Sequence, residues 1–154
     1  MNQTIDPMNL IIPNLFLGNM EAGFNPKFLR DKGIRAVLQV CQTPPNIQPV
    51  YTINRWIIPV PDIPSTQLLP YFQYTCNWIQ HQLRAGNPVL VHCMAGVSRS
   101  ATVIIAFLMW AFNWNLEQAA MYVRQRRWVI YPNQGFIQQL RQWEKYLSQK
   151  NKKK

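Results

Sequence analysis

Apolar positions along this chain follow two rhythms: short dense runs, and longer stretches spaced three and four apart. Leu10 to Gly18, interrupted by Pro13, predicts a short extended entry segment. Asn25-Pro26 is a cap followed by a first-turn proline and Gly33 is a stop, so a short helix is expected over about 26–32. Ile34 to Cys41 predicts a largely buried strand, followed by a loop marked by Pro44, Pro45 and Pro49. Tyr51 to Val60 predicts another strand, running into the stiff loop Pro61-Asp62-Ile63-Pro64. From Thr66 to about Ala85 the spacing places Leu69, Phe72, Cys76, Ile79 and Leu83 on one helical face, with Gly86 ending it. Val89 to His92 reads as the central strand. Ser100 to Phe112 is an almost wholly apolar helix and should be buried. Asn115 caps a helix over about 116–127. The last amphipathic helix spans about 134–148, with Phe136, Ile137, Leu140, Trp143 and Leu147 inward.

Strands alternating with helices predict an α/β fold: a central, mostly parallel sheet of about 4–5 strands with helices on both faces. The 154 residues, 48% hydrophobic, are enough for one domain with a proper core. Residues 1–9 are expected to be an N-terminal extension, 10–148 the folded domain, and 149–154 a disordered basic tail. No run of 18 apolar residues predicts a spanning helix, and Met1 to Pro7 lacks the pattern of a signal peptide.

The candidate chemistry sits at Val89-Leu90-Val91-His92-Cys93-Met94-Ala95-Gly96-Val97-Ser98-Arg99-Ser100. A strand feeding a tight loop and then a helix start is a recipe for an anion site, because backbone N–H groups and the first-turn amides face the oxygens. A thiol at the base of such a cradle, near a guanidinium, should ionise below its free pKa of about 8.5. Arg99 can grip two phosphate oxygens at once. Met94, Ala95, Gly96, Val97, Ser98 and Arg99 are therefore the expected phosphate-binding residues, with Gly96 supplying a backbone shape a β-carbon would obstruct. The implied chemistry is phosphoryl transfer to Cys93. Without a Gly-Lys-Ser/Thr sequence, a Walker-type nucleotide loop is excluded.

His92-Cys93-x5-Arg99-Ser100 resembles the signature of the cysteine-based protein tyrosine phosphatase superfamily, and the flanking residues and length most resemble its small, atypical dual-specificity phosphatases. Leu15-Phe16-Leu17-Gly18 is similar to the opening of such domains. The resemblance implies a phosphatase-like fold and hydrolysis of phosphotyrosine and phosphoserine or phosphothreonine monoesters through cysteinyl-phosphate. It implies Asp62 as general acid, although a turn Asp bonding its own backbone is the plainer alternative. Ser100 is implied to hydrogen-bond the sulfur, or else simply caps a helix. His92 is expected to hold the loop rather than act as a base. Asn133 matches a family position that steadies the phosphate loop, with capping of the last helix as the alternative. Cys41 lies where lipid phosphatases of the superfamily carry a thiol that pairs with the nucleophile; an inert buried thiol is the other reading.

Three cysteines without CxxC spacing suit a reducing compartment, so the cytoplasm is expected, with the nucleus as a second location. Two histidines and six acids leave little for a metal centre, and neither metal nor cofactor is expected. The net charge of +10 favours phosphorylated proteins as partners and allows weak contact with RNA or an acidic membrane. The same charge keeps an RNA 5′-triphosphatase or diphosphatase of this fold as an alternative, beside a phosphoinositide phosphatase of the same fold and a non-catalytic phosphate-binding module. Arg127 and Tyr131 are expected at the cleft rim or on solvated surface.

Overall fold

The computed structural model describes residues 4–48 and 53–152, so Pro49 and the first residues of the expected 51–60 strand lie outside the described residues. The strands are β1 (Met8–Ile12), β2 (Leu15–Gly18), β3 (Ala36–Gln39), β4 (Asn54–Ile57) and β5 (Val89–His92). The helices are α1 (Met20–Gly23), α2 (Pro26–Asp31), α3 (Phe72–Arg84), α4 (Arg99–Phe112), α5 (Leu116–Arg126) and α6 (Gln134–Lys152). The sheet order is β1-β2-β5-β3-β4, parallel throughout except for the β1–β2 hairpin at one edge.

The alternation of side chains across the pleat sorts the core into two layers. Leu15, Leu17, Ala36, Leu38, Val89 and Val91 face the larger layer, which buries the inward sides of α3 to α6. Val37 and Leu90 face the smaller one with Ala22 of α1, Leu29 of α2 and Ile34. Helix α4 lies within the larger layer, buried from Ser100 to Met109, so nearly every face of it had to be apolar. Trp143 of α6 ties to it by donating its indole N–H to Ala106 O at 3.1 Å. The chain leaves β5 at the carboxyl edge of the sheet, where open α/β sheets place their ligands.

The expected single entry segment is a hairpin. Pro13-Asn14 makes the turn, with Asn14 at φ 67°, a left-handed conformation asparagine tolerates. The sheet therefore already includes Met8 and Asn9, and the extension is shorter than nine residues. The helix expected from Thr66 begins only at Phe72, after a single 3₁₀ turn over Leu69–Tyr71. Thr66 does not cap it: its hydroxyl donates to Pro61 O at 2.8 Å. Gln139 of α6 supplies the missing cap from across the core, accepting from Leu68 N and Leu69 N at 2.7 and 2.9 Å. At the other end α6 continues to Lys152, so residues 149–152 are helical rather than a disordered tail. Helix α1 had no periodicity long enough to announce it; Asn19 caps it by accepting from Ala22 N.

Candidate active site

Cys93 follows β5 directly, and the loop Cys93–Ser98 ends at Arg99, the first residue of α4. The carbonyls of five consecutive loop residues are all held by the surrounding protein. Cys93 O lies 3.2 Å from His92 Nδ1. Met94 O accepts from Met20 N of α1 at 3.0 Å. Ala95 O and Gly96 O accept from Arg127 Nη2 at 3.4 Å and Nε at 2.9 Å. Val97 O accepts from Tyr131 N at 2.7 Å.

A trans peptide points its carbonyl and its N–H in opposite directions. Fixing those five carbonyls outward therefore turns the amides of residues 94–98 the other way. Among the described residues, none of those five amides donates to a protein group. Such a set of amides at a helix start suits an anion with several oxygens. Gly96 makes the curl possible: its φ is +68°, and a β-carbon there would meet Arg127 Nη2 at 2.6 Å and Gly18 O at 2.7 Å.

Cys93 is 1% exposed, and its Sγ lies 3.1 Å from Ser100 Oγ, itself fully buried on the first turn of α4. Ser98 makes no side-chain cap; its Oγ accepts from Asn133 N at 3.0 Å. Arg99 donates through Nη1 to Val60 O at 2.9 Å, while its buried Nε has no partner. Arg55 Nε is likewise buried without a partner, but only Arg99 directly follows a set of free amides, an arrangement that suits oxygen acceptors.

Asp62 is exposed above this loop and accepts from Asn133 Nδ2 at 2.9 Å. Asn133 also starts α6, its Oδ1 accepting from Phe136 N. One side chain thus caps a helix and holds the Asp62 loop, while its backbone N–H holds the Cys93 loop. Pro44, Pro45, Pro61, Asp62, Met94 and Arg99 line a cleft of about 460 Å³ over the site. The arrangement can hold a phosphoryl group by its oxygens, offer it a sulfur, and place a carboxyl within the same cleft.

Two further arginines pack behind the site, Arg127 buried rather than at the rim or in solvent, and Arg55 not singled out by the sequence. Arg127, expected on the rim or in solvent, is 1% exposed; besides the loop carbonyls it holds Asp6 O at 2.7 Å and Asn9 Oδ1 at 2.8 Å. Burial lowers its pKa, opposed by the nearby negative charges of Cys93 and Asp6. Arg55 of β4 reaches His92, Gln39 Oε1 at 2.9 Å and Gly23 O at 2.7 Å. No hydrogen bond made by Arg55, Arg99 or Arg127 goes to a carboxylate. Local sequence could not show this, because the partners lie tens of residues away.

Cys41 is buried and reduced. Its thiol is pushed up to about 11, by burial first and then by the charge of Cys93, against the pull of Arg99 and Arg55. Tyr131 lends the loop only its backbone, its side chain being 68% exposed.

The family model for the dual specificity phosphatase catalytic domain matches residues 15–146. The chain is 38% identical over 141 residues to protein 123R of Invertebrate iridescent virus 6, whose name assigns it to the tyrosine phosphatases, covering 92% of this chain and 94% of that one. It is 36% identical over 151 residues to the Drosophila melanogaster protein phosphatase Slingshot, covering 97% of this chain but only 14% of that longer protein. Among solved structures, human DUSP28 superposes with a TM-score of 0.87 at 32% identity, covering 96% of this chain and 99% of that one.

Full burial holds His92 at about 4, below the usual 6.5; Arg55 acts in the same direction and the bond to Cys93 O opposes it. The unfolded chain thus takes up this proton near pH 6.5, which the folded protein refuses until about pH 4. Stability present above pH 6.5 is lost as the pH falls through that window, on the order of 3 kcal/mol in all. Urea unfolding from pH 7 to 4 should show this loss in the wild type, and His92→Asn should remove most of the difference. Parallel curves would mean that His92 is not the titrating group.

Proposed function

The chain belongs to the dual specificity phosphatase family and is a cysteine-based protein phosphatase, and from that premise we propose how its residues divide the work. The free amides of residues 94–98 and the guanidinium of Arg99 hold the three non-bridging oxygens of a phosphorylated side chain. Cys93 attacks phosphorus as the thiolate, forming the S–P bond as the P–O bond to the substrate breaks. Asp62, protonated, gives its proton to the leaving serine, threonine or tyrosine oxygen. The cysteinyl-phosphate is then cleaved by water, with Asp62 taking the water's proton and Ser100 donating to the departing sulfur. Inorganic phosphate leaves and the thiolate is restored. His92 and Asn133 hold the loop and the acid in place.

One observation carries this reading: five loop amides and the Nε of Arg99 stand unpaired around a loop whose first residue is a buried thiol beside a serine hydroxyl. Activity toward phosphotyrosine as well as phosphoserine and phosphothreonine is supported by the family and by the prolines and Met94 that form open cleft walls.

Phosphorylated proteins are the proposed substrates. Exposed Arg124 and Arg126 on α5, with Lys150 and Lys152 at the end of α6, support weak contact with a polyanion, RNA or an acidic membrane. Among the described residues no helix is long and apolar enough to cross a membrane. The three free cysteines support a cytoplasmic location, or a nuclear one. Cys41 is proposed as a resolving thiol: peroxide oxidises Cys93 to the sulfenic acid, and attack by the Cys41 sulfur expels water and closes a disulfide.

Three outcomes are expected. Cys93→Ser should lower turnover at least about 10³-fold while inorganic phosphate or vanadate still binds, and near-normal turnover would rule out the sulfur route. Asp62→Ala should cost about 10²-fold or more on phosphoserine peptides and much less on p-nitrophenyl phosphate, whose leaving group needs little protonation; equal losses would remove Asp62 as the acid. After mild peroxide treatment, peptide mapping should recover a Cys41–Cys93 disulfide, and its absence with Cys93 overoxidised would leave Cys41 an inert thiol.

A further inference from the structure

Arg55 is a half-buried cation on an outer strand, and nothing in the phosphatase reading uses it. We propose that Arg55 is a positioning residue for the nucleophile loop: it fixes the tautomer of His92, and through that ring the orientation of the Cys93–Met94 peptide.

The chemistry of the two neighbours of His92 leaves one arrangement. Arg55 Nη1 lies 3.2 Å from Nε2, and a guanidinium has donors only, so Nε2 must accept. Nδ1 lies 3.2 Å from Cys93 O, which can only accept, so Nδ1 must carry the proton. Each contact requires the tautomer that the other requires. Protonating Nε2 would set one N–H against another and one cation beside another.

The ring itself has nowhere to go. Phe24 meets it edge-on at 5.0 Å, and a β-carbon on Gly23 would collide with it. His92 is fully buried with Arg55 packed against it. Arg55 is fixed in turn by Gln39 Oε1, by Gly23 O and by the face of Phe24, 5.4 Å from its centroid. Gln39 is itself immobilised, donating to Cys41 O at 2.9 Å and Thr43 Oγ1 at 2.8 Å. The chain of positions therefore runs from β4, through Arg55 and His92, to the peptide that turns the amide of Met94 toward the phosphate.

This inference rests on the phosphatase reading only for its kinetic arm. The chain has two histidines, and His81 is exposed, so long-range ¹H–¹⁵N spectra of the imidazoles give the state of His92 directly. The wild type should show neutral His92 with the proton on Nδ1. In Arg55→Met, Nε2 loses its donor and Cys93 O alone still favours Nδ1–H, so part of the population should appear as the Nε2–H form and kcat on p-nitrophenyl phosphate should fall about tenfold. Arg55→Lys keeps a donor and should restore much of both signals. If Arg55→Met does not fold, as thermal unfolding would show, Arg55→Lys and Arg55→Gln are compared with the wild type, and kcat should follow the fraction of Nδ1–H. Loss of kcat with the tautomer unchanged would overturn the proposal, as would a changed tautomer with kcat intact. A wild type inert toward every phosphoester would instead refute the phosphatase reading, leaving the tautomer arm to decide on Arg55.

Discussion

The structure depends on where five carbonyl oxygens go. A loop of ordinary peptides has as many acceptors as donors, and an anion is repelled by the former as much as it is drawn by the latter. The segment 93–97 can favour an anion because each of its carbonyls is occupied from behind, by His92, Met20, Arg127 and Tyr131. These holders come from the strand before the loop, the first helix, the end of α5 and the linker before α6. The sheet and its two helical layers serve to bring such distant groups to one side of a six-residue turn. Buried α4 behind it is the rigid stop against which the turn is set.

A second consequence of this arrangement is that the loop carrying Asp62 and the loop carrying Cys93 are one mechanical unit. Arg99 reaches forward to Val60 O, Asn133 grips Asp62 while its own amide holds Ser98, and Thr66 closes the turn onto Pro61 O. Cys93 and Asp62 come from opposite halves of the chain, yet each is placed by bonds that the other loop shares.

The parts legible in the sequence were those whose physics is local. The strand, the curl at Gly96 and the helix start at Arg99 lie within a dozen residues, and the amphipathic faces of α3, α5 and α6 repeat over several turns. Where structure depends on partners far away, local reading failed. Thr66 has the composition of a helix cap, but Pro61 claims its hydroxyl and Gln139 does the capping from 70 residues on. Arg127 sits in a run of charges that looks solvated, and only the folded chain shows it sealed behind Gly96. Arg55 stood in an expected strand with nothing nearby to mark it. Met8 and Asn9 joined the sheet because Asn14 could adopt a left-handed turn, a property of one residue rather than of a pattern.

The three guanidiniums around Cys93 have one further effect. Arg55, Arg99 and Arg127 bond to carbonyls, two side-chain amide oxygens and a ring nitrogen, so none of their hydrogen bonds pairs them with a carboxylate. Within the chain, the charges of Cys93 and Asp6 act on Arg127, and a dianion held in the cleft would add the counter-charge that no hydrogen-bonded carboxylate supplies. Occupancy and conformational stability are consequently linked by mass action. Inorganic phosphate held by these groups would stabilise the folded chain, and turnover would then end by giving up that ligand.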